Sequence, residues 1–503
     1  MKVNVYKSQD SYNVNEFYLT KHDWDDWGYK TVFTLFYYNE NKEFDNIGSL
    51  KIANKKIREG HTIIPKAFKK LDNDFFSLGV DKVYYENLNN LEETVRDFIL
   101  TALNDIASNE DKLEEVINEH VTKISLLREV SVKEVTHDFR SLANGDAVLS
   151  EYRFQYNFPN TKSKIASRPP ISFNVVPNNI PTTNIHVLIG SNGVGKTYHL
   201  NNMIDSLINN SKSNSKYGYF SSETNSDEIF ANLVSVSFSA FDDRDPPEER
   251  NDESKSINYS YIGLKRVKSD KNSAPKSTTI LKNEFIKSLE SILKGAKWRR
   301  LKSALLTLSS DPVFNQFNFI EVIENYNFSK IEVDINKDIG DLFKNLSSGH
   351  KIVLLTMVRL VDTVEERSLV LLDEPETHLH PPLLSAFMKA LSNILRHRNA
   401  VAIIATHSPV ILQEVPKSSV WKFSRSGSYS KAERLSLESY GENLGALTRE
   451  VFGFEVTDSG FHKLVSDVVN ESYSYREVYE KFNGELGLEA QSIIRALLNT
   501  TDY

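Results

Sequence analysis

Cysteine is absent from the 503 residues of the chain. This excludes disulfide bonds, thiolate metal sites and a cysteine nucleophile, and it suits a reducing compartment. Long apolar runs are missing too, since none approaches the roughly 20 residues that a membrane-spanning helix needs. The first residues, MKVNVYKSQDSYNVNEFYL, lack the apolar core of a secretory signal. We therefore expect a cytoplasmic protein without a membrane segment.

An excess of positive charge over the whole chain is also missing. The formal net charge is −8, so the chain as a whole is not a general binder of polyanions. Hydrophobic residues make up 40% and charged residues 25%, which is ordinary for a globular protein. The length predicts about two to four domains with ample material for a large core.

One stretch fits the phosphate-binding pattern G-x-x-x-x-G-K-[ST], and an apolar strand at 185–189 and a helical pattern at 198–208 flank it. Its glycines let backbone N–H groups converge on one concavity, and the helix N-terminus adds partial positive charge. We expect Lys196 to reach the β- and γ-phosphates of ATP and Thr197 to hold Mg²⁺. The predicted nucleotide-binding residues here are Gly190, Ser191, Asn192, Gly193, Val194, Gly195, Lys196, Thr197 and Tyr198.

The N-terminal region, 1–145, has the pattern of an α+β region that could dock a partner. Short runs rich in aromatic and β-branched residues predict strands at 16–19, 31–38 and 49–52, and apolar spacing of three and four predicts helices between 88 and 130. A cluster in this region could suggest metal ligands, but we interpret it as a solvated turn. It consists of His22, Asp23, Asp25 and Asp26.

A charged insert is predicted at about 242–302. Within 251–302, thirteen Lys or Arg stand against five Asp or Glu. A nucleic-acid contact and a solvated or acid-binding helix face both explain this composition, and the sequence leaves both open. The densest part of the insert carries Lys294, Lys297, Arg299, Arg300 and Lys302 around Trp298.

Two apolar strands end in polar residues. The run at 369–372 leads into Asp373 and Glu374, and the run at 401–405 leads into Thr406 and His407. Ligands bind at the carboxyl edge of such open α/β sheets. Asp373 is placed to support Mg²⁺, Glu374 to deprotonate the attacking water, and His407 to sense the γ-phosphate.

A further stretch, NLSSGHK at 345–351, precedes an apolar helix at 352–361, and Ser347 is a natural N-cap for it. With the P-loop, LVLLDEPETHLHPP and IIATHSP in this order, the chain resembles the ABC-type ATPase heads of the SMC, RecF and OLD-like group over about 145–425. The resemblance implies an α/β P-loop NTPase of the ABC-ATPase head type that dimerises around ATP. Ser347, Ser348 and Gly349 would then complete the ATP site of the other copy, and His378 and His380 would belong to a dimer-interface loop, not to a metal site.

A finer resemblance rests on HLHPPLL, on TREVFGF and on the overall size. In these features the chain is similar to the PtuA ATPases of Septu and retron-associated anti-phage systems, which work with a separate HNH nuclease. This implies a defence ATPase, in an oligomer, that holds and regulates a partner effector.

The chain departs from the ABC pattern at one place. ABC heads usually carry a Gln after the strand that follows the P-loop helix, but no Gln occurs between Gln155 and Gln316. The corresponding segment is VSVSFSAFDD, so we expect Ser239, Asp242 or Asp243 to substitute, with Asp242 as a candidate Mg²⁺ ligand.

No nuclease site is expected in this chain, because the residues after His407 hold neither a D-x-D pair nor an H-N-H constellation. The predicted organisation is an N-terminal region at 1–145, an ATPase domain at 146–425 and a helical tail at 426–503 that could also dock a partner. The predicted function is an ATPase that regulates a separate nuclease. The alternative is a RecF-like ATPase that repairs or clamps duplex DNA, which the basic segment 251–302 favours.

Overall fold

The computed structural model describes residues 1–5, 12–147, 149–159, 169–177, 179–211, 216–222, 229–238, 244–250, 257–267, 275–293, 296–328, 337–426, 429–457, 460–472 and 474–500. Within these ranges, no helix combines the length and the apolar character needed to cross a lipid bilayer.

The strands follow in chain order. They are β1 (Val3–Val5), β2 (Glu16–Lys21), β3 (Tyr29–Lys30), β4 (Val32–Tyr38), β5 (Phe44–Asn54), β6 (Gly60–His61), β7 (Ala67–Phe68), β8 (Phe75–Gly79), β9 (Tyr152–Asn157), β10 (Ile171–Val175), β11 (Ile185–Ile189), β12 (Tyr219–Ser222), β13 (Asn232–Ser237), β14 (Asn258–Gly263), β15 (Ser368–Asp373), β16 (Val401–Thr406), β17 (Val420–Ser426) and β18 (Tyr429–Glu433).

The α-helices are α1 (Lys82–Asn89), α2 (Glu93–Ala102), α3 (Glu110–Val116), α4 (Val132–Glu134), α5 (Arg140–Ala143), α6 (Lys196–Ile208), α7 (Thr278–Ile292), α8 (Ala296–Leu308), α9 (Pro312–Asn315), α10 (Phe319–Phe328), α11 (Asp338–Asn345), α12 (Ser348–Thr363), α13 (Pro381–His397), α14 (Pro409–Leu412), α15 (Leu444–Thr457), α16 (Gly460–Asn470), α17 (Tyr475–Lys481) and α18 (Leu488–Thr500).

The chain divides into two compact units, and neither is a continuous stretch. The first comprises Met1–Ser150, Lys276–Ser368 and Asn393–Ala400, and the second comprises Glu151–Pro275, Leu369–Ser392 and Val401–Tyr503. The predicted ATPase domain at 146–425 therefore contributes chain to both units. The predicted tail at 426–503 is helical from α15 onward, but its first residues form strand β18 of a sheet in the second unit.

The first unit contains a six-stranded sheet in the order β7-β1-β2-β4-β5-β8. Side chains alternate along β4, with Phe33, Leu35 and Tyr37 buried, as expected for a sheet that packs one face on a core. The strands predicted at 16–19, 31–38 and 49–52 are confirmed as β2, β4 and β5. Helices α7, α8, α11 and α12 belong to this unit as well.

The interpretation of the acidic cluster as a solvated turn is wrong for one residue, Asp26. Its side chain is 1% exposed and accepts hydrogen bonds from Lys51 Nζ at 2.9 Å, Arg128 Nη1 at 2.6 Å and Ser125 Oγ at 2.9 Å. Burial alone raises the pKa of the Asp26 carboxyl, but these hydrogen bonds outweigh it and lower the pKa. The partners come from distant parts of the chain, so no local pattern announces them. The remaining members, His22, Asp23 and Asp25, are exposed, and the described residues contain no cluster of three or more His, Asp or Glu side chains that could hold a metal ion.

The second unit is built on a seven-stranded sheet in the order β14-β13-β15-β16-β11-β17-β18. The pairs β15–β16, β16–β11 and β11–β17 are parallel. Every residue of β11, β15 and β16 is buried, which is typical of central parallel strands covered on both faces. Because these three strands are parallel neighbours, their carboxyl ends meet at one edge of the sheet.

The stability of the first unit should depend on the Asp26 cluster. Asp26→Asn leaves Lys51 and Arg128 without a carboxylate, which should lower the free energy of unfolding. We expect a loss of ~3 kcal/mol and not more, because Arg128 keeps part of its hydration. Since the folded pKa of Asp26 lies below its usual 3.8, the stabilisation is present above that pH and is lost as the pH falls through the folded pKa. Urea denaturation at several pH values measures both effects. Asp23→Asn, on the exposed part of the same loop, is the control and should unfold like the wild type.

Candidate functional site

The predicted P-loop joins β11 to α6. The helix begins at Lys196, and Gly195 caps it with φ 100°, a left-handed conformation that glycine adopts at little cost. Gly190 is required for a different reason, because a Cβ atom there would lie 2.2 Å from the carbonyl oxygen of Phe423. The strand–loop–helix context predicted from the sequence is thus present.

Lys196 is held against the loop itself. Its side chain is buried, and Nζ donates hydrogen bonds to the carbonyl oxygens of Gly190 at 2.8 Å and Ser191 at 3.1 Å. Burial lowers the pKa of Lys196, and the nearby carboxylates of Glu374, Asp373 and Glu376 partly offset this. The site therefore places one ammonium group among three carboxylates.

Thr197 and Asp373 meet directly. The Thr197 hydroxyl donates to Asp373 Oδ1 at 3.0 Å, although the two residues lie far apart in the sequence. Asp373 is the last residue of β15, and the pairing of β15 with β16 sets it opposite Ala405. A hydroxyl and a carboxylate are oxygen ligands of the kind that Mg²⁺ prefers, so the pair fits the predicted metal. The other candidates, Asp242, Ser239 and Asp243, lie outside the described residues.

Glu374 follows Asp373 in an uncommon backbone conformation. Its φ and ψ are 46° and 56°, in the left-handed region, and its N–H donates to the carbonyl of Ala405 at 2.9 Å. Non-glycine residues in this region are strained and concentrate at functional sites. The Glu374 Oε1 atom lies 3.5 Å from Nδ1 of His407. The two strand ends thus bring the predicted base and the predicted γ-phosphate sensor together.

Glu376 is a site residue that the sequence analysis missed. Its Oε1 atom accepts hydrogen bonds from the Thr406 hydroxyl at 2.5 Å and from the backbone N–H of His407 at 3.0 Å, and it lies 3.4 Å from His407 Nδ1. The carboxylate therefore fastens the end of β16 to the turn after β15. The only signal for it was a third acidic residue in LLDEPE, which had no assigned partner.

A cavity of about 550 Å³ surrounds the P-loop. Tyr198, another predicted binding residue, is 59% exposed and forms part of its wall. Three lining residues were not predicted, namely His199, Arg425 and Ser430. The cavity is lined by Asn192, Gly193, Val194, Gly195, Lys196, Thr197, Tyr198, His199, Glu374, Arg425 and Ser430.

The LSSGHK segment lies in the first unit and begins α12. Ser347 is the N-cap, as predicted, because its hydroxyl accepts the backbone N–H of His350 at 3.4 Å. The hydroxyl also lies 2.6 Å from His350 Nδ1, and His350 Nε2 lies 3.4 Å from Asp311 Oδ1. Ser347 and Ser348 are exposed, whereas Gly349 and His350 are buried. The start of a 16-residue helix therefore presents two hydroxyl-bearing residues to solvent.

His378 and His380 are exposed and lie in and just after a 3₁₀ turn, Pro375–His378. No metal-binding group of three or more side chains occurs in the described part of the chain. The assignment of these histidines to a dimer-interface loop stays a prediction.

The basic cluster of the charged insert is largely engaged within the first unit. Trp298 is buried, and Arg300, whose pKa burial lowers to about 10, lies 4.0 Å from Asp146. Lys294 lies outside the described residues. The remaining contacts are Lys297 to Asp362 at 3.5 Å, Arg299 to Asp97 at 3.4 Å, and Lys302 to Glu324 at 2.5 Å. These cations lie beside acidic residues of the same unit, and the choice between a nucleic-acid contact and a solvated or acid-binding helix face stays open for the segment as a whole.

A family profile and several solved structures match parts of the chain. The family profile described as "AAA domain, putative AbiEii toxin, Type IV TA system" matches residues 208–413. The solved structures that resemble the chain include CbiO1 of Clostridium perfringens, part of the ABC transporter complex CbiONQ, at 15% identity and a TM-score of 0.27 over 53% of this chain and 82% of that one. They also include MJ1267, an ATP-binding cassette of an ABC transporter in its ADP conformation, at 14% identity and a TM-score of 0.27 over 53% and 85%.

The predicted α/β fold of a P-loop NTPase is confirmed, because a P-loop joins β11 to α6 beside a parallel sheet and the profile of an AAA domain matches residues 208–413. A full-length relative is protein ea59 of Escherichia phage lambda, which is 42% identical over 511 residues. The match covers 97% of this chain and 96% of that protein. The chain therefore has the fold of a P-loop NTPase and belongs to the family of phage lambda protein ea59.

Proposed function

We propose that the chain binds ATP with Mg²⁺ at the P-loop and hydrolyses it to ADP and phosphate. The observation that carries this proposal is the direct contact between Thr197 and Asp373 beside the buried Lys196. A chance P-loop pattern would not need a carboxylate at the end of another strand to meet its threonine. Bound Mg²⁺ would neutralise charge on the β- and γ-phosphates.

The side chains then divide the work of the reaction. Lys196 offers a positive charge to the β- and γ-phosphates, and the N–H groups at the start of α6 surround them. Glu374 takes the proton of the attacking water, a general-base role that its partly exposed carboxylate suits. With Nδ1 facing the carboxylates of Glu374 and Glu376, His407 contacts the γ-phosphate through Nε2. Glu376 keeps His407 in place by holding its backbone.

The site is completed by a second copy of the chain. Ser347, Ser348 and Gly349 of one copy contact the γ-phosphate bound by the other, as the resemblance to ABC heads implies. The exposed hydroxyls at the start of α12 support this, since a helix N-terminus favours negative charge. Such an interface is used reciprocally in a closed dimer.

The ATPase cycle regulates or holds a separate HNH-type nuclease in an anti-phage defence complex. The PtuA-like segments HLHPPLL and TREVFGF support this, as does the lack of a nuclease motif after His407. The description of the matching profile names a toxin–antitoxin system, and the ea59 relative comes from a phage. Both support a function in a phage-related system. The N-terminal region and the helical tail are the candidate docking surfaces.

A DNA-repair or DNA-clamping role, the rival function, has less support. That role depended on the basic segment 251–302, and the described cations on α8 lie near acidic residues of the same unit. A free surface for phosphate contacts needs cations that are not engaged in this way. The regulatory ATPase is thus the better-supported function.

Hydrolysis should depend on Glu374. Glu374→Gln keeps the shape of the side chain but removes the base, so we expect ATP binding to persist and phosphate release to slow by about 100-fold or more. Steady-state phosphate release and ATP titration measure the two effects. Glu489→Gln, an exposed carboxylate of the tail, is the control and should hydrolyse ATP at the wild-type rate. Normal hydrolysis by Glu374→Gln would assign the base elsewhere.

Completion of the site by a second copy should depend on Ser347. Ser347→Arg adds bulk where the other copy's phosphate would lie, so we expect ATP binding without hydrolysis. Ser347→Ala removes the same helix cap at a cost of roughly 0.5–2 kcal/mol but adds no bulk, and it should retain more activity. Mixing Ser347→Arg with Lys196→Ala should restore some activity, because one composite site then carries neither change. Full activity of Ser347→Arg alone would contradict a site shared between copies.

A further inference from the structure

The hairpin formed by β17 and β18 runs alongside the P-loop, and strand register explains why. β17 pairs in parallel with β11, with Val187 opposite Val420 and Ile189 opposite Lys422. The residues after Lys422 therefore continue beside the loop that follows Ile189. The close approach of the Phe423 carbonyl to Gly190 is the first contact of this kind.

Two residues further along, the hairpin presents a matched pair of polar side chains. Arg425 and Ser430 are directly opposite each other in the antiparallel register of β17 and β18. Opposed residues project to the same face of a sheet, and that face alternates along each strand. Both residues line the cavity around the P-loop.

The Ser430 hydroxyl lacks a hydrogen-bond partner in the described part of the chain. The residue is 7% exposed, and its Oγ atom is buried. A buried hydroxyl without a hydrogen bond costs about 1–3 kcal/mol, so such groups are rarely retained without a partner. A ligand in the cavity that Ser430 lines would supply one.

Arg425 adds a positive charge to the same wall of the cavity. Its side chain is exposed, and Nη1 donates to the carbonyl of Gly193 at 3.4 Å. Among the residues that line the cavity, Lys196 and Arg425 carry permanent positive charge, and they contact different points of the loop. A guanidinium group next to a hydroxyl donor is well suited to an anionic oxygen, and above all to phosphate.

We infer that Arg425 and Ser430 bind a phosphate group of the nucleotide from the hairpin side of the cavity. The inference rests on the proposed function, because the nucleotide is the one held by the P-loop. It adds a second cation to the site, supplied by a hairpin that follows His407 in the chain. The phosphate chain is thus held between two walls, with Lys196 on one and the hairpin pair on the other.

The test is calorimetric titration of the full chain with ATP and, as a probe without ribose or base, with inorganic tripolyphosphate, both with Mg²⁺. Arg425→Ala should lower the affinity for both ligands by about 10- to 100-fold, and Ser430→Ala should lower it by about 3- to 10-fold, as expected for lost hydrogen bonds to a charged group. Arg425→Lys keeps the charge and should recover part of the loss. Lys431→Ala is the matched control, since this cation faces the opposite side of the hairpin and should bind like the wild type.

The outcomes separate this inference from the proposed function. If the wild type binds ATP and Lys196→Ala does not, while Arg425→Ala and Ser430→Ala both bind like the wild type, the hairpin assignment is overturned and the P-loop assignment stands. If the two hairpin variants bind ATP more weakly but bind tripolyphosphate like the wild type, the contact is to ribose or base and the phosphate assignment is wrong. If the wild type binds neither ligand, the proposed function itself fails. Should Arg425→Ala fail to fold, Ser430→Ala and Arg425→Lys decide the question.

Discussion

The hydrogen bond between Thr197 and Asp373 is the contact on which the proposed site depends. It ties the first turn of α6 to the end of β15, and it can form only because β11, β16 and β15 lie side by side as parallel strands. The same alignment brings the N–H of Glu374 to the carbonyl of Ala405 and places His407 next to Glu374. Backbone pairing of the strands thus sets the positions of Asp373, Glu374 and His407.

A second set of contacts links the elements at this edge. Glu376 holds the Thr406 hydroxyl and the His407 N–H, so the turn after β15 and the end of β16 are linked. On the other side, the Phe423 carbonyl packs so closely on Gly190 that no side chain fits there. A nucleotide would therefore meet a largely preformed site, which reduces the conformational entropy that binding must overcome. The exception is Lys196, which must exchange its two carbonyl partners for phosphate oxygens.

The residues whose local structure the sequence predicted share one property. Lys196, Thr197, Asp373 and Ser347 belong to local patterns, namely a glycine-rich loop before a helix, a carboxylate after an apolar strand, and a serine before a helical run. In each case the backbone within a few residues sets the position of the side chain. The fold class followed for the same reason, because the order of strands and loops is itself a local pattern repeated along the chain.

The residues that the sequence did not reveal depend on pairing between distant segments. Arg425 and Ser430 reach the cavity through the register of β17 against β11 and of β18 against β17. Asp26 is buried because Lys51, Ser125 and Arg128 converge on it. The division into units likewise depends on segments that return from far along the chain, such as Lys276–Ser368. No periodicity within a window of ten or twenty residues carries this information.

The most direct test of the central claim is the dissociation constant of ATP, measured with Mg²⁺ and with a chelator for the wild type and for Thr197→Val. Valine keeps the shape of threonine but removes the hydroxyl that meets Asp373. We predict that Mg²⁺ tightens binding to the wild type by at least tenfold, and that Thr197→Val binds ATP with the same affinity in both conditions, close to that of the wild type with the chelator. A variant that keeps the full effect of Mg²⁺, or a wild-type chain that does not bind ATP, would contradict the account.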